Sequence, residues 1–247
     1  MLARALILGV TILAMAANVA VAAPTTVAAT AEIYSAGGNT ALASGASAPP
    51  SIALPGGTVS VQFTSVTGSI GCSTVSTEGC VSLNGGSNSN DPDGAGAAVL
   101  SSSNSGAGSI SGITSPSSGS LMGLFVAAGG PSGTAPAALN FTTGSGTSFT
   151  SLSPLLDQTF FIGDGLTGDG SGSTQTFYVP TGATALYLGV SDACGYNGAP
   201  DCYGDNLGSF GVTASLQSGG TTVPEPGALV LLGVGLLGLG CVRSRHG

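Results

Sequence analysis

The sequence has almost no positively charged side chains. It contains no lysine and no tryptophan, its three arginines are Arg4, Arg243 and Arg245, and its one histidine is His246. All four lie within the first four or the last five residues of the sequence. A histidine-based triad, a lysine Schiff base and a histidine-ligated metal need residues that the middle of the chain lacks. Nucleic-acid binding needs a cationic surface and is excluded as well. No enzymatic activity is expected.

Acidic and small residues dominate instead. Eleven carboxylates give the 247-residue chain a formal net charge of −8, and it contains 43 glycines and 13 prolines. A hydrophobic content of 42 % is too high for an ordinary disordered chain. The composition predicts a β domain with long turns, and its acidic surface favours cations as partners.

The first 22 residues have the organisation of a secretory signal peptide. Arg4 precedes an apolar stretch, and Ala20-Val21-Ala22 provides a small-residue cleavage site. We therefore predict a signal helix at residues 1–22 that is cleaved after Ala22. An N-terminal membrane anchor is the alternative.

Three ordered features end the sequence at residues 223–247, after a short linker at 219–222. Pro224-Glu225-Pro226 comes first, a hydrophobic helix is predicted at 226–242, and Arg243 and Arg245 follow. This tail resembles the PEP-CTERM sorting signal of Gram-negative bacteria. The resemblance implies that an exosortase removes the helix after transient anchoring in the inner membrane. It also implies that the protein reaches the outer surface, envelope or extracellular matrix. A plain C-terminal anchor is the alternative.

Four of the five cysteines form two pairs with a spacing of eight residues. In an exported protein this favours the disulfides Cys72–Cys80 and Cys194–Cys202 among three possible connectivities. Cys241 lies in the sorting tail. A zinc site made by the other four cysteines is the alternative, although their spacing is not that of zinc-binding motifs.

The segment between the two signals reads as one all-β domain, residues 23–218. Short stretches of alternating apolar residues are separated by Gly/Ser/Asn/Pro turns, which predicts an antiparallel β-sandwich of the jelly-roll or galactose-binding-like type. The predicted strands lie near residues 58–64, 121–126, 160–162, 176–179, 186–190 and 210–216. For the Ser/Gly-rich segment 101–120, low-complexity disorder and folded structure both remain open.

The stretch Leu186–Leu216 carries the predicted chemistry. Two predicted strands flank a loop rich in carboxylate and amide oxygens, which are the ligands that calcium prefers. The oxygen-bearing side chains of this loop are those of Asp192, Asn197, Asp201, Asp205 and Asn206.

This stretch resembles the calcium site of the bacterial galactophilic PA-I (LecA-type) lectins. The matching residues are Tyr203-Gly204-Asp205-Asn206-x-Gly208-Ser209-Phe210 after Asp192. The resemblance implies calcium ligation by Asp192, Asp205, Asn206 and the backbone carbonyl of Cys202, with Asp192 and Asp205 also contacting a sugar. Asp91-Pro92-Asp93-Gly94 stands where the lectins have His-Pro-Asp-Gln, which implies sugar contacts from Asp91 and Asp93.

The chain departs from these lectins in two places. Asp91 and Gly94 replace the lectin histidine and glutamine, and the loop before Tyr203 is longer and contains the cysteine pair. Three interpretations of the loop remain open: turns without a ligand, calcium alone, and calcium with an extracellular carbohydrate. A purely structural envelope or matrix protein without a specific ligand is the alternative function.

Overall fold

Strands account for most of the regular structure in this computed structural model, which describes residues 18–72, 91–94, 102–115 and 117–219. These residues belong to one unit with a shared core. Their only helical elements are three short 3₁₀ segments, Ile33–Gly38, Cys194–Tyr196 and Tyr203–Asp205. The all-β prediction is therefore confirmed for the described part of the chain. The predicted C-terminal sorting helix lies outside it, as do residues 1–17 of the signal helix.

The strands of the described residues are numbered in chain order. They are β1 Val19–Val21, β2 Thr25–Ala28, β3 Ser51–Ala53, β4 Thr58–Cys72, β5 Ser102–Ala107, β6 Ile110–Ser115, β7 Leu121–Ala127, β8 Leu139–Asn140, β9 Ser151–Leu152, β10 Thr159–Phe161, β11 Leu166–Gly168, β12 Ser171–Thr174, β13 Thr176–Tyr178, β14 Ala183–Val190, β15 Asn197–Gly198 and β16 Asn206–Ser218.

These strands form several sheets. The largest has the order β1-β16-β4-β13-β9, with β2 pairing beside β1 on the same strand β16. A second sheet has the order β10-β7-β14-β3, a third β15-β5-β6-β8, and β11 pairs with β12. Most pairs are antiparallel, but β13–β9, β15–β5 and β6–β8 are parallel.

The long pair β4–β16 forms the middle of the largest sheet. Its antiparallel register runs from Asn206 opposite Cys72 to Ser218 opposite Thr58. Alternation places Val61 and Phe63 of β4 in the core. Val212, Ala214 and Leu216 of β16 are buried in the same way, as the sequence pattern predicted.

Strand β7 is buried on both faces, as its unbroken apolar run predicted: every residue from Leu121 to Val126 is buried. Gly123 lies opposite Phe160 of β10, where an added Cβ would come within 2.5 Å of the Phe160 ring. The glycine therefore lets this ring cross the strand, and Phe160 stacks on Phe125 with ring centroids 5.2 Å apart.

Most of segment 101–120 is described as paired strands: β5 and β6 pair antiparallel between Ser102 and Ser115. The inward positions of β5 carry small polar residues, Ser102 and Asn104, which are buried. Ile110 and Ile113 supply the apolar burial of β6. Because this segment is rich in serine and glycine, its alternation of buried and exposed residues does not show as an apolar pattern in the sequence.

Strand β1 belongs to the segment predicted as the signal peptide. Val19–Val21 pairs antiparallel with residues 215–217 of β16. In the described part of the chain no helix is long and apolar enough to cross a lipid bilayer.

Candidate functional site

Two buried tyrosines fix the start of the loop that joins β14 to β16. Tyr34 and Tyr203 are both 0 % exposed, so each hydroxyl needs a partner within the protein. The Tyr34 hydroxyl lies 2.8 Å from Ser191 Oγ. The Tyr203 hydroxyl donates to the Val190 carbonyl at 3.3 Å and accepts from the Asp192 amide at 3.2 Å. The Tyr203 hydroxyl thus binds the backbone on both sides of Ser191, at the Val190 carbonyl and at the Asp192 amide.

The predicted disulfide Cys194–Cys202 closes this loop, with the two Cα atoms 5.2 Å apart. These sulfurs are therefore not available as thiolates for a zinc site. The predicted Cys72–Cys80 bond cannot be followed, because Cys80 and the side chain of Cys72 lie outside the described residues.

The Asp192 carboxylate is held mainly by neutral donors. Its Oδ2 accepts from Asn206 Nδ2 at 2.7 Å, and its Oδ1 accepts from the Ala193 amide at 2.7 Å. Burial raises the pKa of Asp192 to about 7, against the lowering effect of these two hydrogen bonds. The charges of Asp205 and Asp201 raise that pKa further. Asp192 is therefore a partly desolvated acid with no nearby cation among the described residues.

The four predicted calcium ligands lie between the end of β14 and the start of β16, and two of them, Asp192 and Asp205, are carboxylates. Asp192 and Asn206 meet directly. Cys202 has a left-handed backbone with φ 66°, and Asp205 ends the turn that follows it. Asp192 and Asp205 belong to neither of the acidic or cysteine groups that bring three ligand atoms within 4.8 Å in the described residues. Calcium at this position stays a prediction.

A second acidic site lies at the turn Asp91–Gly94. The Gly94 amide donates to the Asp91 carbonyl at 2.9 Å, and the Asp93 amide donates to Asp91 Oδ1 at 3.0 Å. This Asx geometry is typical of aspartate in turns.

Strand β7 joins this turn to a second acidic turn that follows β10. The Leu121 amide donates to the Pro92 carbonyl at 2.9 Å. The Leu121 carbonyl accepts from the amides of Ile162 at 2.9 Å and Gly163 at 3.2 Å. One residue at the start of a buried strand thus fixes two segments that are about 70 residues apart in sequence.

Asp93 lies between these two turns. Its Oδ1 accepts from the Asp164 amide at 3.0 Å, whereas its Oδ2 is buried without a hydrogen-bond partner among the described residues. Burial raises the pKa of Asp93 to about 7, and the negative charges of Asp164, Asp91 and Asp169 add to the increase. A buried carboxylate oxygen without a partner is costly unless a proton or a cation compensates it.

Asp91, Asp93 and Asp169 form a group whose carboxylate oxygens lie within 4.8 Å of one another. Asp91 and Asp93 were predicted to contact a ligand, whereas the Asp-Gly dipeptide at Asp169 predicts only a turn. Asp164 has a turn role, because its oxygens accept from the amides of Leu166 at 2.7 Å and Gly170 at 2.8 Å. The sequence contains no local signal for this group, because the pairing of Leu121 with both turns brings it together.

Gly94 has a backbone conformation and a close packing that favour glycine at this turn. Its φ is +76°, and an added Cβ would lie 2.7 Å from the Ser118 carbonyl oxygen. The lectin glutamine therefore does not fit at this position without a change in the turn.

A polar surface groove of about 670 Å³ lies elsewhere on the domain, between the β5–β6 pair and the segment 141–148. Serine and threonine hydroxyls, glycines and Asn197 line it, over the largely buried ring of Phe141. None of Asp91, Asp93, Asp192 and Asp205 contributes to its walls.

Residues 222–245 match the family model of the PEP-CTERM protein-sorting motif. The chain carries a PEP-CTERM sorting motif. This match includes the predicted Pro224-Glu225-Pro226 box and indicates an exported protein that exosortase processes and that resides at the surface or envelope. The match covers the tail only. No curated protein and no solved structure matches the chain. The resemblance of the central domain to PA-I lectins is not shown.

Proposed function

We propose that this PEP-CTERM protein is a non-catalytic surface module whose β domain binds calcium at Asp91, Asp93 and Asp169. One observation carries the proposal. Asp93 Oδ2 is buried without a hydrogen-bond partner among the described residues, inside a group of acidic side chains. We infer that a cation takes the place of the missing donor. After removal of the leader and tail, the chain has no lysine, arginine or histidine to do so.

The ligand chemistry favours calcium over transition metals. Calcium takes six to eight oxygen ligands, whereas zinc favours histidine and cysteine. Three carboxylates offer oxygens to this site, and nearby backbone carbonyls and water would complete the shell. Sites of extracellular modules bind calcium with dissociation constants of about 10⁻⁴–10⁻³ M, which suits a protein at the cell surface.

Two finer features belong to the same proposal. The largest sheet and the β10-β7-β14-β3 sheet supply buried residues to one hydrophobic cluster, which supports a sandwich. An extracellular carbohydrate is proposed as a partner that completes the cation shell through its hydroxyls. A glycan array probed with calcium and with chelator distinguishes this from a purely structural matrix protein.

Calcium is expected to raise the Tm of the exported domain by about 3–6 °C. At a calcium concentration about ten times the dissociation constant, binding to the native state adds about 1.4 kcal/mol. A change of 1 kcal/mol corresponds to about 2–4 °C in a domain of this size. Thermal unfolding in 5 mM calcium, in 5 mM magnesium and in chelator measures the effect.

Matched variants locate the cation. Asp93→Asn and Asp169→Asn are expected to abolish the calcium effect on Tm, whereas Asp192→Asn is expected to keep it. Loss of the effect only in Asp192→Asn would place calcium in the β14–β16 loop, at the lectin-like position. An identical Tm in calcium and in chelator for the unaltered domain would contradict calcium binding. It would favour the alternative of a purely structural protein without a specific ligand.

Changing the Pro-Glu-Pro box is expected to stop sorting. Pro224→Ala combined with Pro226→Ala removes the feature by which the PEP-CTERM family is recognised. The tail should then stay attached, which intact mass measures, and surface protein should fall at least tenfold. Asp201→Ala, an exposed change outside the tail, is the control. Normal tail removal in the Pro-Glu-Pro variant would contradict the assignment.

A further inference from the structure

Strand β1 is built into the edge of the largest sheet. Its register sets Val19 opposite Gln217, Ala20 opposite Leu216 and Val21 opposite Ser215. A backbone hydrogen bond flanks each end of the strand. The Ser218 amide donates to the Asn18 carbonyl at 3.0 Å, and the Ala22 amide donates to the Ala214 carbonyl at 2.8 Å. The segment 18–22 therefore behaves as part of the folded domain.

Cleavage after Ala22 would uncover half of this edge. Strand β2 pairs with β16 only from Ser209 to Val212. In the described part of the chain, segment 18–22 alone pairs with the same side of β16 beyond Thr213. The side chain of Ala22 also packs against the hydrophobic core.

The uncovered stretch would lack two of the usual protections of a free strand edge, charged residues and proline, although the β4–β16 register shifts at both of its ends. Residues 214–218 read Ala-Ser-Leu-Gln-Ser, without a charge or a proline. Exposed neutral edges pair readily with other chains, and natural sheets block them with charges, prolines, bulges or a covering segment. Here β1 is the covering segment.

The sequence offers a second cleavage motif that keeps β1. Ala14-Met15-Ala16 has the same small-x-small pattern as Ala20-Val21-Ala22. It directly follows the stretch 5–13, which is apolar except for Thr11 and whose length of nine fits the hydrophobic region of a secretory signal.

We propose that the export signal peptidase cuts between Ala16 and Ala17, so that the mature domain begins at Ala17 and keeps β1. Water adds across that peptide bond and leaves a carboxylate on Ala16 and an ammonium group on Ala17. This proposed site, after Ala16, replaces the cleavage site after Ala22 that the sequence pattern predicts.

N-terminal sequencing and intact mass of the exported full-length protein test the proposal. The expected first residue is Ala17, and any other first residue, Ala23 included, overturns it. Two variants make the test independent of the final fold, because the peptidase reads the chain before it folds. Ala16→Tyr removes the small residue before the proposed bond and is expected to abolish the Ala17 terminus.

Ala22→Tyr is the matched control, since it makes the same change in the downstream motif. It is expected to leave the Ala17 terminus unchanged, with at least 90 % of the exported chains starting there. Normal processing of Ala16→Tyr together with blocked processing of Ala22→Tyr would overturn the proposal.

Discussion

The Phe177→Ala substitution is expected to lower the free energy of unfolding of the domain by about 3–5 kcal/mol. Phe177 is 0 % exposed and contacts three other rings. Its centroid lies 5.4 Å from Phe63, 5.4 Å from Phe160 and 5.8 Å from Phe149. Removing it leaves a cavity where two sheets meet, because Phe63 belongs to β4 and Phe160 to β10. Urea unfolding of both proteins measures the difference.

The neighbouring residue provides the control for this change. Tyr178 is 50 % exposed on the other side of the same strand, so Tyr178→Ala is expected to cost less than about 1 kcal/mol. Equal losses from the two substitutions would contradict the placement of the core on the Phe177 side of β13.

Without calcium, the domain is expected to become less stable as the pH rises from about 4 to 7.5. Burial raises the pKa values of Asp93 and Asp192 to about 7 in the folded state, from 3.8 in the unfolded chain. Between those values the folded state holds more protons than the unfolded state, so the free energy of unfolding falls with rising pH. For the more buried Asp192 the total loss is on the order of 2–4 kcal/mol, because a tenfold change in proton affinity corresponds to about 1.4 kcal/mol.

Asparagine variants test the origin of this slope. Asp93→Asn and Asp192→Asn are each expected to flatten the pH dependence, and the double variant more than either. A smaller slope of the same sign should remain, because burial also raises the pKa values of Glu32 and Asp157. Chemical unfolding in chelator at several pH values between 4 and 7.5 measures it. A stability maximum at pH 7.5 in the unaltered domain would contradict the environments assigned to both aspartates.

The strands with apolar alternation were predictable from the sequence. Val61 and Phe63 in β4, and Phe210 and Val212 in β16, face the core at the predicted period of two. The continuation of β4 to Cys72 was not predicted, because Ser, Thr and Gly dominate it and pairing with β16 forms it. Strands β5 and β6 were missed for the same reason. Small polar side chains carry no hydrophobic pattern, although a core can hold them once their backbone is paired.

The candidate site was predictable only where it is local. Asp192 and Asn206 flank one loop, and the sequence placed them together correctly. Asp169 joins Asp91 and Asp93 because the backbone of Leu121 binds both turns, which depends on sheet pairing across about 70 residues. The spacing of residues in the sequence does not predict such a contact. The sorting box, by contrast, is read by an enzyme as a linear motif and was fully visible in the sequence.

The position of the sorting tail behind β16 has a mechanical consequence. Because β16 ends at Ser218, a force applied to the chain beyond it enters the domain through this strand. The β4–β16 ladder, from Asn206 opposite Cys72 to Ser218 opposite Thr58, carries in shear the component of that force that is parallel to β16. Hydrogen bonds loaded in shear share the force and must fail together, whereas those of a peeled strand fail one at a time. Load applied beyond Ser218 therefore reaches the domain through its longest strand pair.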